Sequence, residues 1–498
     1  MTILPLHPAD HASPDALRAF LEQCHARVRA DGHPRLVSIS LVVEALDPLA
    51  VLESIFEPGE RHFYAERPNL DTAISGAEVA VAHEAAGPGR FASVQRFVDE
   101  TLERAIAVGD VEAPFGGPHF FAAFAFETPA ESGAPFPSAQ VFVPRWQVAR
   151  AGAGTTAVAN LFIEPGSDLD AMALRVWRAH GKFSKFEYAA KEAGASGTGI
   201  LPVGSSPKTE DARRSAGDQS HGQEARATVN RAATSDYRGA VRRALGLIAA
   251  GEFEKIVLAR AIDLTTPAPL HPLRVLNGLR QRFPGCYAFS LANGRGQSFI
   301  GASPERLLRV SQGVLETEAL AGSIRRGGGA SDDAALGLAL LHSEKDLREH
   351  RLVVETITGR LAQLGLKPEW PDHPALRRLA NVQHLHTPVR APLAEGVKLL
   401  SVLAALHPTP AVGGSPAAPA IARIRELEGF PRGLYGGTIG WINARGGGEF
   451  FVGIRSGLVD GATARVYSGS GIVAGSDPEK EFAETEWKFR AMLDAFDA

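Results

Sequence analysis

The 498-residue sequence predicts an α+β fold, because its strand patterns and its helix patterns come in separate runs. After residue 234, apolar strand patterns at 255–264, 287–292, 297–302, 306–310 and 314–320 follow one another before helical spacing takes over at 332–342 and 344–364. Strand patterns return between 433 and 473, and a closing helix is expected over 477–496. No repeat of fixed period is present, and no glycine cluster has the spacing of a Rossmann or P-loop fingerprint, so a regular βαβ alternation is not indicated.

Each element has a local reason. Residues 1–192 carry short apolar runs, such as 36–43 and 119–126, between Gly/Pro turns, and read as mixed α and β. Over 193–233 the chain turns to Gly, Ser, Ala, Arg and isolated charges. Such a segment buries too little apolar surface to offset its ordering entropy, so a disordered insertion is expected there. Ser235 is placed to cap a helix whose Tyr237, Val241, Leu245 and Ile248 recur at helical spacing. The 255–264 strand is apolar on both faces, as a buried strand is. Asn293-Gly294 suits a tight type I′ hairpin loop between 287–292 and 297–302. The closing helix has Ser476 as its expected N-cap and Pro478 in its first turn.

Composition narrows the partner. With 45% hydrophobic and 22% charged residues the chain can bury a sizeable core, which excludes disordered and fibrous classes. A net charge of −4 supplies no basic surface for nucleic acid, so a small molecule is the expected partner. Cys24 and Cys286 stand in no metal-ligand or CxxC spacing, which argues against a disulfide framework or a zinc site and fits a reducing cytoplasm. The first ten residues lack a basic segment followed by an apolar one, and no run approaches the ~20 apolar residues of a membrane span. A soluble, cytoplasmic, unexported protein is expected.

Several residues could carry chemistry. Asp346 and Glu349 share one helix face, and Glu481 and Glu484 share another with Lys488 one turn beyond. Two such faces could make an oxygen-only site for a hard cation such as Mg²⁺, although solvated helix surface with an ordinary Glu484–Lys488 ion pair has the same pattern. Lys255 opens an apolar strand, where desolvation would fit it for general-base work; a strand-end lysine reaching solvent is the alternative. Glu305 sits just after a strand, as a presented acid or a turn residue, and His384 is a catalyst or a structural hydrogen-bonder. Arg455 interrupts an apolar strand and could clamp a carboxylate, and the Gly469-Ser470-Gly471 turn could present backbone N–H groups; an ion pair and a plain turn are the plainer readings.

Taken together, these segments resemble the chorismate-utilising enzyme family. The resemblance runs through nearly all of 233–498 and rests on Glu254-Lys255-Ile256-Val257-Leu258-Ala259-Arg260, Gly301-Ala302-Ser303-Pro304-Glu305, Leu320-Ala321-Gly322-Ser323, Lys345-Asp346 with Glu349-His350, Leu406-His407-Pro408-Thr409-Pro410-Ala411, Gly469-Ser470-Gly471-Ile472-Val473, and Glu481 with Glu484-Thr485 and Lys488. In the first half, Phe115-Gly116-Gly117 and Phe142-Val143-Pro144 are the recognisable pieces.

The resemblance implies one large unit of two packed antiparallel sheets with helices outside. Residues 1–192 would form its variable N-terminal half, 193–233 an insertion, and 234–498 the chorismate-binding catalytic region. It also implies that Glu349 and Glu484 ligate Mg²⁺ with Asp346 and Glu481 close by. Arg455 and Tyr435 would grip the enolpyruvyl carboxylate, and Gly322, Ser323, Gly469 and Lys488 would surround the ring carboxylate, with His384 and Ala411 also at the substrate. Ser323 stands where threonine is usual, which keeps the hydroxyl.

Family members differ in the nucleophile delivered to the ring. Lys255 stands where the ammonia-using type has glutamine, and Ala321 where the aminodeoxychorismate type has a lysine. The implied reaction is therefore attack of water at C2, with Lys255 as base and Glu305 as acid for the C4 hydroxyl, giving isochorismate without a glutaminase partner. Ala411, where salicylate-forming members tend to carry threonine, favours isochorismate over pyruvate elimination. Menaquinone is the expected pathway over a siderophore, and a monomer the expected form.

Overall fold

The computed structural model describes residues 1–4, 13–128, 131–179, 230–233 and 235–496. The insertion expected over 193–233 lies outside these residues except for its last four. Asn230–Ala233 is an edge strand paired with Ile262–Thr265, and all four residues are exposed. The ladder there joins backbone to backbone and buries no apolar side chain, which is why composition gave no sign of it.

The strands join in one hydrogen-bonded network that divides at the long strand Ala139–Ala151. Along its whole length this strand pairs with Thr72–Ala85, and on its other edge it pairs first with Phe121–Phe124 and then, beyond Trp146, with Gly154–Ala159. One arm continues through His119–Phe124, Thr438–Asn443, Gly448–Val452, Arg306–Ser311, Val314–Arg325 and Val382–Pro392. The other continues from Thr72–Ala85 through His62–Arg67, Tyr287–Ala292, Gln297–Ser303, Ser456–Asp460, Thr463–Val473 and Lys255–Thr265. Every pairing in both arms is antiparallel, so the two sheets expected are present and share a strand. Thr2–Leu4 and Arg35–Val43 depart from this, since both pair with Ile106–Gly109 in parallel. The chain reaches Ile106–Gly109 through the helix Arg90–Arg104, the kind of crossover a parallel pairing requires.

The arms face each other across an aromatic core that includes Phe63, Phe121, Tyr287, Phe289, Trp441, Phe451 and Tyr467. Phe63 stacks on Phe121 with ring centroids 4.2 Å apart, and Tyr287 on Phe451 at 4.8 Å. The helices Arg90–Arg104, Glu344–Gln363 and Leu399–Leu406 cover the outer face of the first arm. Tyr237–Ala249, Pro272–Arg282, Ala417–Glu428 and Pro478–Phe496 cover that of the second. No helix among the described residues is long and apolar enough to cross a membrane.

Alternation along Lys255–Thr265 places the site. Ile256 and Leu258 pack outward among the helices, whereas Ala259 and Ala261 pack inward among the aromatics. Lys255 shares the inward parity. On the neighbouring strand, Tyr467, Gly469 and Gly471 likewise lie on the inward side.

Three cap and turn expectations need correction. Asp236, not Ser235, caps Tyr237–Ala249, its carboxylate accepting from Gly239 N–H. Asp477, not Ser476, caps the closing helix by accepting from the N–H groups of Glu479 and Lys480, and Ser476 turns back to accept from Val473 N–H. In both cases two adjacent capping residues compete, and the carboxylate is the stronger acceptor. The 293–296 loop has four residues, with Gly294 and Gly296 at positive φ and the Asn293 side chain accepting from Arg295 and Gln297 N–H. A two-residue turn does occur one hairpin later, at Gln312-Gly313, where both residues have positive φ.

Arg432 and Glu428 form a fully buried ion pair, with Arg432 at the cavity wall. Arg432 also donates to the carbonyls of Val257 and Val412, at 2.7 and 2.8 Å, and Glu428 accepts from Ala259 N–H. The pair thus pins the Lys255–Thr265 strand to the segment after Leu399–Leu406. Arg432→Ala is expected to cost about 3–5 kcal/mol, because it strands a buried carboxylate, and urea unfolding would measure the loss.

Candidate active site

Every sequence-predicted site residue except Lys255 lines one cavity between the sheet arms and the helices Glu344–Gln363 and Pro478–Phe496. The glycines make room for it. A Cβ on Gly471 would come within 2.6 Å of Glu349 Oε1, and one on Gly469 within 3.0 Å of the Tyr435 hydroxyl and 2.7 Å of the Leu258 carbonyl. Gly322 has φ +76, the left-handed conformation glycine tolerates, where the Val314–Arg325 strand turns past Asp346.

The acidic wall comes from two helices. Ser343 caps the first by accepting from Asp346 N–H and also donates to the Asp346 carboxylate. Asp346 and Glu349 then reach the cavity from one face, as Glu481 and Glu484 do from the other helix. Burial raises the pKa of Glu484, an effect that Lys488 opposes and that the charges of Glu481 and Glu349 reinforce. Asp346 is raised by burial as well, with Glu349 and Glu484 adding to the effect. Lysines offset this crowding: Lys488 Nζ lies 2.6 Å from Glu484 Oε1 and donates to the Gly469 carbonyl at 2.9 Å, and Lys345 Nζ lies 2.9 Å from Glu481 Oε1. Of the plainer alternative, the Glu484–Lys488 ion pair is present but the solvated surface is not, since these carboxylates line one cleft.

This donor set suits Mg²⁺ in kind: carboxylate oxygens alone, mutually repelling and facing a shared space. Among the described residues no group of three or more acidic, histidine or cysteine side chains encloses an ion by itself. A hard cation held on Glu349 and Glu484 would complete its shell with water and substrate oxygens, the usual arrangement for Mg²⁺.

Lys255 is fully buried and does not reach solvent. Its ammonium donates to Glu349 Oε1 at 2.7 Å, and its side chain passes beside Gly471, where a Cβ would lie 3.1 Å from Lys255 Cε. The desolvation expected of it is present, the solvent-reaching alternative fails, and the burial comes with a carboxylate partner. A buried ammonium needs a partner, and Glu349 is the carboxylate in reach. Burial pushes Glu349 up, but Lys255 and the other lysines outweigh it and hold its pKa below the ordinary value.

Glu305 follows the Gln297–Ser303 strand and is buried, its own N–H donating to Ser303 Oγ at 3.3 Å. Its pKa is pushed up to about 8, first by burial and then by the Glu318 charge, against the opposing pull of Lys255, Arg377 and Lys488. Glu305 is therefore protonated at neutral pH and can donate.

The opposite wall accepts anions. Arg455 joins the strands Gly448–Val452 and Ser456–Asp460 with φ +51, a strained conformation for a side-chain-bearing residue and one that aims its guanidinium inward. It is buried, and among the described residues no carboxylate pairs with it. Its Nη2 lies 3.4 Å from His384 Nε2, and His384 Nδ1 meets Ser323 Oγ at 2.8 Å. Burial and Arg455 hold His384 far below its ordinary pKa, so it stays neutral. Burial raises Tyr435, which keeps its phenolic proton.

Two charged cavity residues were given no role from sequence, Lys345 and Arg432. Lys345 stands in the Lys345-Asp346 motif, and its ion pair with Glu481 on the other helix is not visible there. Arg432 follows Pro431 in a loop, and its only sequence signal is the i,i+4 spacing from Glu428.

The fold and this site place a cationic wall and an acidic one on opposite sides of a single buried cavity, the arrangement of an enzyme site for a small charged molecule. The chain belongs to the chorismate binding enzyme family, whose model matches residues 19–201 and 204–497. It is 34% identical to the salicylate biosynthesis isochorismate synthase of Pseudomonas aeruginosa over 97% of this chain and 94% of that protein. It is 32% identical to isochorismate synthase MenF of Bacillus subtilis over 95% and 96% of the two chains. The solved structure of MenF, the menaquinone-specific isochorismate synthase from Escherichia coli, superimposes with a TM-score of 0.71 at 27% identity, covering 95% of this chain and 99% of that one.

Proposed function

We propose that this protein converts chorismate to isochorismate in an Mg²⁺-dependent reaction. The observation that carries the reading is Glu305, a buried carboxyl that keeps its proton at neutral pH in the same cavity as an unpaired arginine and beside the buried Lys255. Near full-length similarity to proteins named isochorismate synthases supports it.

One carboxylate of the substrate would be met by Arg455 and the Tyr435 hydroxyl, and the other would lie toward Ser323, Gly469 and Lys488. Bound Mg²⁺ would neutralise the second carboxylate and the acidic wall formed by Glu349 and Glu484. Once it has given up the extra proton it holds beside Glu349, Lys255 in its neutral amine form takes a proton from a water whose oxygen bonds to C2. The ring double bonds shift, the C4–oxygen bond breaks, and Glu305 supplies the proton with which the C4 hydroxyl departs as water. Proton and oxygen balance without an outside reactant, and nothing in this scheme requires a glutaminase. Ala411 on the cavity wall supports release of isochorismate in preference to pyruvate elimination. Menaquinone synthesis is the proposed destination, the specificity named for the Escherichia coli relative.

Incubation of the protein with chorismate and Mg²⁺, with isochorismate, salicylate and pyruvate resolved, tests the reading. Isochorismate as sole product supports it, and stoichiometric pyruvate would identify a salicylate-forming enzyme instead.

Glu484→Ala tests the metal assignment. Turnover should be lost and its response to added Mg²⁺ flattened, while the melting temperature stays near or above the parent value because crowding with Glu481 and Glu349 is relieved. Wild-type turnover in excess chelator would defeat the assignment.

A further inference from the structure

Glu318 is buried on the Val314–Arg325 strand, outside the cavity wall. Its Oε1 accepts from the backbone N–H of Arg306, the residue after Glu305, at 3.0 Å and from Arg377 Nη1 at 2.7 Å, and its Oε2 meets His386 Nε2 at 3.0 Å. These contacts fix an ionised carboxylate one peptide away from Glu305, and together His386, Arg377 and Arg306 outweigh burial and hold its pKa down to about 2. A structural ion pair would need only one of the three donors. Here the negative charge is locked to the very peptide that carries the acid.

The charges around Glu305 are otherwise cationic. Lys255 approaches it from its own strand, Lys488 from the closing helix, and Arg377 from Ala375–Arg378. Arg455 and neutral His384 stand on the same cavity wall, and Tyr435 contributes an un-ionised phenol. On the far side are the acidic residues Glu349 and Glu484, paired with Lys255 and Lys488. Burial does most to keep the acid protonated, the three cations oppose it, and a fixed negative charge beside it adds to the side of the proton.

We propose that Glu318 is a positioning residue for the reaction: anchored on the amide after Glu305 and neutralising Arg377, it keeps the general acid protonated in the pH range where the enzyme works. This deepens the assignment of Glu305 as proton donor and rests on it. The effect is exerted through Glu305, since Glu318 has no access to the substrate.

The test is the pH profile of kcat/KM in the full-length protein with Mg²⁺ present. In the parent, activity should fall as pH rises through about 8, where Glu305 loses its proton. Glu318→Gln keeps an acceptor for Arg306 N–H and removes the charge. Its basic limb should move down by about one pH unit or more, so that activity at pH 8 falls roughly tenfold or more while activity near pH 6 stays close to the parent. Arg377→Gln should move the limb the other way, and it decides between the outcomes if Glu318→Gln does not fold. An unmoved limb, or a loss equal at every pH, would overturn the proposal and leave Glu318 a structural residue. If Glu305→Gln itself turned over at the parent rate, the assignment of the acid would be wrong, and that outcome is distinct from a fixed limb in an enzyme that Glu305→Gln inactivates.

Discussion

Lys255→Ala should lower kcat by about 10²-fold or more while chorismate affinity changes much less, because Arg455, Tyr435 and the residues around Ser323 remain. The lysine's own contact is with Glu349, not with the arginine and tyrosine assigned to the substrate carboxylate. Its removal has a second consequence. Glu349 would lose the 2.7 Å partner that does most to hold its pKa down against burial. A carboxylate with a depressed folded-state pKa contributes stability that is present above its unfolded value and lost as pH falls through the folded one. In Lys255→Ala that contribution disappears, so the variant should be less stable than the parent at neutral pH, and the gap should narrow under acid. Turnover, equilibrium binding and urea unfolding at two pH values, all on one purified variant, would check this. Near-parental turnover would remove Lys255 from the mechanism, and isotope from labelled water missing from the C2 hydroxyl would do the same for water attack.

Glu305→Gln should be as inactive, by about 10²-fold or more, because an amide has no proton to give, yet more stable than the parent at neutral pH. The sign follows from burial. The folded state holds the proton up to about pH 8 and the unfolded chain releases it near the ordinary carboxyl value, so the folded protein binds more protons between the two. Parental stability should therefore decline as pH rises from about 4.5 to 8, by about 1.4 kcal/mol per unit from this group, and level off above. The glutamine variant should lack that slope. Unfolding free energies across pH 5–9 would show it, and a variant that is inactive but equally pH-sensitive would mean that Glu305 is ionised in the folded protein.

Much of the catalytic half was legible because its elements are regular and its charged residues stand out. Lys255 in an apolar strand and Glu305 just past another were visible as anomalies, and both lie where the two sheets meet. The pairs of acids on two helices were visible as spacing, but only tertiary packing turns two separate faces into one wall. The partners escaped the sequence for the same reason. Nothing local links Lys255 to Glu349, since that contact crosses from a strand to a distant helix, whereas Glu318 reaches the peptide after Glu305 across a single hairpin. The cap corrections have a smaller cause, two capping residues side by side at each helix start. The 230–233 strand was hidden because its pairing uses backbone and exposes its side chains.

The strand Ala139–Ala151 belongs to both sheets, and its neighbour Phe121–Phe124 pairs with 438–441, roughly three hundred positions further along. During synthesis, neither sheet can therefore close until nearly the whole polypeptide has left the ribosome. Such non-local pairing is slow to form and leaves strand edges open meanwhile. A nascent chain carrying only residues from the first half would present Phe121 and Phe142 without the Trp441 and Phe451 side chains that complete their core. Recombinant yield should then depend on chaperone supply and growth temperature more than on the stability of the finished enzyme.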